Sequence, residues 1–169
     1  MLIWIFFSQP INLFIIGLLF SNPYVVSLQN RTQEMSKALY QILFLAAVSD
    51  GKIHEEEKHL INEYRKNFPI LHKLSDTDAN VALSELDKLV TAGLSTRQIL
   101  EKISHGLSTI EKEIGYALAV ELCSINFDLV PPETDFLEIL GQEWFIDDAI
   151  KTAVKKSVML RYSTNWTIT

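Results

Sequence analysis

The sequence has few of the features on which small proteins of recognisable chemistry depend. It contains one cysteine in 169 residues, which excludes a disulfide framework. That residue, Cys123, lies in an apolar helical pattern, which predicts a buried thiol and not a nucleophile. The formal net charge is −6, and no basic stripe alternates with aromatic residues, which argues against nucleic acid as a partner.

Signatures of catalysis are missing as well. The chain has no phosphate-binding glycine loop, no hydrolase-type serine turn with partner histidine and aspartate, and no pair of carboxylates assignable to catalysis. His54 and His59 flank three glutamates, but histidines five residues apart do not share a helix face, which excludes a zinc-protease helix. We therefore expect a protein that is not an enzyme. A small hydrolase with a metal-activated water is the alternative, because carboxylate sites can host that chemistry.

Charge is absent from the first thirty residues, which contain no Lys, Arg, Asp or Glu. Residues 2–20 are about long enough to cross the hydrocarbon core as a helix, although Pro10 interrupts them. Arg31 and Lys37 follow, so the positive-inside rule places the rest of the chain in the cytoplasm, tethered to the inner face of the membrane. The alternatives are a native start at Met35, with the upstream start assigned wrongly, and a packing arm.

Apolar residues at helical spacing are what the chain does have, from Glu34 onward. Seven segments carry this pattern, and capping residues, glycine or proline bound them. No segment has a β-strand pattern of comparable strength. The segments begin near Glu34, His54, Ser75, Thr96, Ser108, Pro131 and Asp147. We predict an all-α fold, a compact bundle of about seven helices over residues 35–162. An uncharged apolar leader (residues 1–30) precedes this domain, and an uncharged tail (residues 163–169) follows it.

The most informative stretch runs from Asp50 to Glu57. Its residues follow the order of the second half of an EF-hand calcium loop. That order is an oxygen ligand (Asp50), a turn glycine (Gly51), an apolar anchor (Ile53) and a closing glutamate (Glu57). The first half is missing, because Ala46 and Val48 occupy the positions of the earlier carboxylates. Acidic residues in the first turn of a helix also interact favourably with the helix dipole, so a plain helix cap is the alternative interpretation.

The segment from Ala46 to Gly51, together with Glu56 and Glu57, resembles the signature of tellurite-resistance TerB-like domains. This resemblance covers residues 35–162. It implies a small all-helical module in which an Asp-Gly turn and acidic residues occur in two related halves.

A second copy of the motif lies downstream. Asn126 takes the place of Asp50, and Glu133 takes that of Glu57. The predicted ion ligands are Asp50, Glu56, Glu57, Asn126, Asp128 and Glu133. The last three contribute only if the two halves face one another. Oxygen ligands without local sulfur favour calcium or magnesium over zinc as the divalent cation.

The residues alone do not indicate a biological role, but the resemblance implies one. It suggests a cation-binding interaction module in metal, tellurite or envelope stress, with other proteins as partners and the membrane as a further partner through the leader. The alternative is a metal-free helical interaction domain whose acidic turns are only helix caps.

Overall fold

Seven α helices make up the part of the chain that the structure describes. The structure is a computed structural model, and it describes residues 23–125 and 129–162. The helices are α1 (Pro23–Ala47), α2 (Glu55–Asn67), α3 (Asp76–Thr91), α4 (Thr96–Ile103), α5 (Thr109–Cys123), α6 (Pro131–Glu143) and α7 (Asp148–Tyr162). A short 3₁₀ helix, Leu71–Lys73, lies between α2 and α3. No strand occurs within these residues, so the predicted all-helical fold is confirmed.

Contacts between Cα atoms divide the chain into two units, Met1–Glu34 and Met35–Thr169. All residues of the core and of the candidate site described below belong to the second unit. The predicted membrane span, residues 2–20, and the tail, residues 163–169, lie outside the described residues. In the ranges that the structure describes, no helix is long and apolar enough to cross a membrane. The assignment of leader, domain and tail stays a prediction.

Helix α1 begins earlier than its apolar pattern predicts. The pattern starts near Glu34, whereas the helix starts at Pro23. Proline is well accommodated in the first turn of a helix, and neither glycine nor a second proline follows before Ala47. Residues 27–31 are exposed and mostly polar, so this stretch shows no apolar period although it is helical. Hydrophobic periodicity reports burial, and it therefore misses an exposed helix start.

Serine residues set the starts of three consecutive helices. The side chains of Ser75, Ser95 and Ser108 accept hydrogen bonds from the backbone N–H groups of Asp78 (3.1 Å), Gln98 (3.4 Å) and Glu111 (3.4 Å). Each bond satisfies one N–H group that lacks a partner within its helix, and such a cap contributes about 1 kcal/mol. These caps explain why α3, α4 and α5 begin within one residue of the predicted positions.

The core of the second unit is built around α5. This helix packs against α2, α6 and α7, and its buried side chains include Tyr116, Leu118, Ala119, Val120 and Leu122. Helix α1 adds the buried residues Leu39, Ile42 and Leu43. Helix α4 packs against α6, and the indole N–H of Trp144 donates to the Leu100 carbonyl (3.3 Å). Helices α2 and α6, which carry Glu57 and Glu133 of the predicted acidic motifs, therefore pack against the same core helix, α5.

Candidate metal centre at two related turns

The turn between α1 and α2 holds Asp50 through neighbouring groups. The Lys52 backbone N–H donates to Asp50 Oδ1 (3.1 Å), and His54 Nε2 lies 3.1 Å from Asp50 Oδ2 at hydrogen-bond distance. These two contacts, the Lys52 N–H first, hold the pKa of Asp50 below its ordinary value. Gly51 has a φ of 96°, a conformation that strains residues with a side chain. The Asp-Gly pair therefore forms the turn that its sequence predicts, with an ionised carboxylate.

Glu57 is the third residue of α2 and lies in the interior. Its Oε2 accepts a hydrogen bond from the backbone N–H of His54 (2.7 Å), the residue that precedes the helix. This is the glutamate half of a capping box. Only 1% of Glu57 is exposed, and this burial raises the pKa of its carboxyl group. A cap needs one carboxylate oxygen near the helix start, but it does not require the residue to be removed from water.

Glu133 repeats this arrangement in α6. Its Oε2 accepts a hydrogen bond from the backbone N–H of Val130 (2.9 Å), and only 5% of the residue is exposed. Burial is the largest cause of its raised pKa, and the negative charges of Glu57 and Asp50 raise it further. Coulomb interactions weaken with distance, so this effect indicates that the carboxyl groups lie in the same region of the fold. Glu57 and Glu133, more than seventy residues apart in sequence, are brought there by two helices that both pack on α5.

The two turns belong to one repeated helix pair. Helices α1 and α5 end at Ala47 and Cys123, and α2 and α6 each span 13 residues. Every one of these boundaries is repeated 76 residues later along the chain. Ile61 and Leu137, which correspond at this offset, are both buried. The second copy of the motif, predicted from the sequence, thus coincides with a second pair of helices whose boundaries repeat those of the first.

The predicted ligands divide into three groups. Asp50, Glu57 and Glu133 lie within electrostatic range of one another. Glu56 lies in the same helical turn as Glu57 but is exposed, and its charge raises the pKa of Glu57. Asn126 and Asp128 lie outside the described residues.

The described acidic residues do not by themselves form a complete ligand set. Among residues 23–125 and 129–162, no group of three or more His, Cys, Asp or Glu side chains is arranged to hold a metal ion. A calcium ion takes six to eight oxygen ligands, of which carbonyl groups and water supply a large share. The described side chains therefore offer at most a pair of carboxylates to such a site, and its other oxygens would come from other groups.

Two further residues belong to the surroundings of this acidic cluster. His54 contacts Asp50, and its charge when protonated lowers the pKa of both Glu57 and Glu133. Its spacing of four residues from Asp50, immediately before a helix, is the sequence signal that could have identified it. Cys123 is buried, and burial followed by the charges of Glu133 and Glu57 raises the pKa of its thiol far above the usual range. The thiol is therefore protonated and unreactive, as its sequence context predicts.

No protein-family model, no curated protein and no solved structure matches this chain. The TerB-like assignment rests on the residues quoted for the resemblance, and it stays a prediction.

Proposed function

We propose that this protein is a helical module that binds a divalent cation between Glu57 and Glu133. The observation that supports this proposal is the burial of both carboxyl groups at equivalent turns, close enough for one to raise the pKa of the other. Burying like charges together is costly unless an opposite charge accompanies them. A bound cation would supply that charge, and helix capping alone does not account for the burial.

Asp50 adds a nearby negative charge in this proposal, but it does not form a group of three ligands with Glu57 and Glu133. Its carboxylate is ionised and belongs to the turn that precedes Glu57. The remaining ligands would be oxygens from the backbone or water, together with Asn126 and Asp128 if the sequence prediction for them holds. Hard oxygen donors favour calcium or magnesium. We expect a modest affinity, because the positions of the two early EF-hand carboxylates are Ala46 and Val48.

The biological role in this proposal is interaction with other proteins, without a catalytic step. Ion binding would join two helix pairs that are distant in sequence and so stabilise the surfaces that they present. The stress role, in metal, tellurite or envelope stress, rests on the resemblance to TerB-like domains. The membrane tether by residues 2–20 rests on the composition of the leader.

The test is to titrate calcium, and separately magnesium, against the wild-type chain while its melting temperature is followed. Ion binding to the native state alone stabilises it by about 1.4 kcal/mol when the free ion is at ten times its Kd. For a chain of 169 residues this corresponds to a rise of roughly 3–6 °C. In Glu57→Gln the rise should disappear, because Gln can still accept the His54 N–H but carries no charge.

Glu55→Gln is the matched control for this experiment. Glu55 lies in the same helical turn, is exposed and pairs with Lys58 (2.6 Å), so its loss changes the net charge equally without altering the buried pair. We expect Glu55→Gln to keep the ion-dependent rise. A wild-type chain that shows no rise with either ion would contradict the cation site.

The second candidate function is a metal-free helical interaction domain. It is favoured by the hydrogen bonds in which Glu57 and Glu133 each accept the backbone N–H that precedes their helix. In that case both carboxyl groups act only as caps. Ion addition should then leave the melting temperatures of the wild type and of Glu57→Gln equally unchanged.

A further inference from the structure

An apolar groove lies between α5 and α7. Its volume is about 420 Å³, within the range of small-ligand sites. The lining comes from these two helices and from the residue that follows α2, and it includes Ile114, Leu118, Val154, Val158 and Phe68. Of these, Ile114, Val154 and Phe68 are only partly buried. Removing apolar side chains from water is favourable, so a segment that covered them would be held there.

The internal repeat relates this groove to a position that is already covered. At the offset of 76 residues, Phe68 after α2 corresponds to Trp144 after α6. Trp144 is buried, and its indole N–H donates to the carbonyl of Leu100 in α4 (3.3 Å). Helix α4 follows α3 and packs against α6. The segment after the third helix of the first half therefore covers the aromatic residue at the end of α6.

The segment after α7 holds the corresponding place in the second half. Helix α7 follows α6 as α3 follows α2, and residues 163–169 follow α7 as α4 follows α3. These residues contain no Lys, Arg, Asp or Glu, and they include Trp166 and Ile168. By the repeat, Phe68 is the residue that this segment would cover.

Trp166 is close enough along the chain to reach the groove. Arg161, one residue before the end of α7, lines the groove, and so does Ala153 earlier in the same helix. At 1.5 Å per residue, these two positions lie about 12 Å apart along the helix axis. The residues from Tyr162 to Trp166, when extended, span up to about 14 Å. Trp166 is therefore within reach of most of the groove.

The charge of the groove also fits this segment. Among the described residues that line it, Glu121 and Arg161 are charged, and they pair with each other at 3.2 Å. A charged partner would compete for this ion pair. Residues 163–169 carry no charged side chain, so they can cover the apolar lining and leave the pair intact.

We propose that residues 163–169 fold back along α7 and place the indole of Trp166 in the groove between α5 and α7, against Phe68. A tryptophan buries about 150–250 Å². This area suffices because the segment is joined to α7, which gives the contact a high effective concentration. Any other molecule that binds the groove must first displace the indole. The segment after α7 thus controls access to this surface.

The experiment follows the fluorescence of Trp166 in the full-length chain. The parent is Trp4→Phe, which leaves Trp144 and Trp166 as the indole fluorophores. The contribution of Trp166 is the difference between this parent and Trp4→Phe/Trp166→Phe. Its emission wavelength and its quenching by acrylamide are compared with those of a free peptide of residues 162–169. We expect Trp166 in the parent to emit at shorter wavelength than the peptide and to be quenched less.

Two variants of α7, made in the parent, test where the indole lies. Ala153→Glu places a carboxylate on the wall of the groove, and it should move the emission and quenching of Trp166 to the values of the peptide. Thr152→Glu adds the same charge at the adjacent exposed residue, which does not line the groove, and it should change neither property. Ala153→Glu in Trp4→Phe/Trp166→Phe should leave the emission of Trp144 unchanged, which shows that the fold is intact.

Three results would overturn the proposal. Quenching of Trp166 in the parent as strong as in the peptide would place the indole in water. Equal effects of Ala153→Glu and Thr152→Glu would place it outside the groove. Shielding that is lost on dilution would mean that the segment of a second copy, and not that of the same chain, covers the groove.

Discussion

A missing methyl group at Gly115 decides how closely α5 approaches its neighbours. A Cβ atom added there would lie 2.6 Å from Trp144 Cζ3 and 3.0 Å from Leu39 Cδ2. Trp144 is itself buried and hydrogen-bonded to α4 through its indole, so it cannot move aside without disturbing the core. At Gly141, by contrast, the nearest atom is Cδ of Lys151, at 3.0 Å in a flexible side chain.

We predict that Gly115→Ala lowers the free energy of unfolding and that Gly141→Ala does not. Overpacking costs about 1–3 kcal/mol, against a gain of about 1 kcal/mol from alanine in a helix. The net loss for Gly115→Ala should therefore be up to about 2 kcal/mol. Gly141→Ala should be neutral or slightly stabilising, because Lys151 can change rotamer. Urea denaturation of both variants measures the difference, and equal stabilities would contradict the close approach at Gly115.

Phe145 offers the opposite test, in which removal of a side chain should stabilise the fold. Phe145, at the turn between α6 and α7, has a φ of 54°, in the left-handed region that favours glycine. Phe145→Gly relieves this strain, and we expect it to raise the free energy of unfolding by about 0.5–1 kcal/mol. Phe145→Ala is the control, because it removes the ring but keeps the Cβ atom that causes the strain. Urea denaturation of both variants measures the difference. If both variants gain the same stability, the exposed ring and not the backbone is the source of the cost.

Most helix boundaries are set by local chemistry, and the sequence predicts these well. A serine before α5 and prolines at the start of α6 act within a single turn, so their effect is visible without any tertiary information. The repeat was also visible, because Asn126 and Glu133 follow each other at the spacing of Asp50 and Glu57. The structure extends that correspondence from acidic residues to the ends of four helices.

What the sequence could not predict depends on contacts between distant elements. The burial of Glu57 and Glu133 follows from the packing of α2 and α6 on α5, whereas their identity alone suggests exposed caps. The role of His54 depends on the Asp50 side chain across the turn. The left-handed conformation of Phe145 is imposed by the burial of its two neighbours, and no local preference of phenylalanine indicates it.

At the scale of the whole molecule, the buried pair should make stability depend on pH. Folding raises the pKa of Glu57 and Glu133 above the ordinary value of 4.5, chiefly through burial. Between 4.5 and their folded pKa values, the native state therefore binds more protons than the unfolded state. Stability falls as the pH rises through such a window and is greater on its acidic side.

Asp50 and Asp148 act in the opposite direction and at lower pH. Hydrogen bonds, from the Lys52 N–H and from Lys151 respectively, lower their pKa values below the ordinary 3.8. Their contribution to stability is present above that value and is lost as the pH falls through the lowered pKa. The two contributions therefore change with pH in different ranges, and of the two only that of the buried pair still changes above pH 4.5.

We predict that the chain, kept ion-free by a chelator, melts at a higher temperature at pH 5 than at pH 7.5. The double variant Glu57→Gln/Glu133→Gln should show a smaller difference, because glutamine does not titrate but still accepts the N–H before each helix. Glu55→Gln/Glu101→Gln is the control, since it removes two exposed carboxylates and should keep the full difference. Equal differences in both double variants would mean that the source of the acid stabilisation lies outside the buried pair.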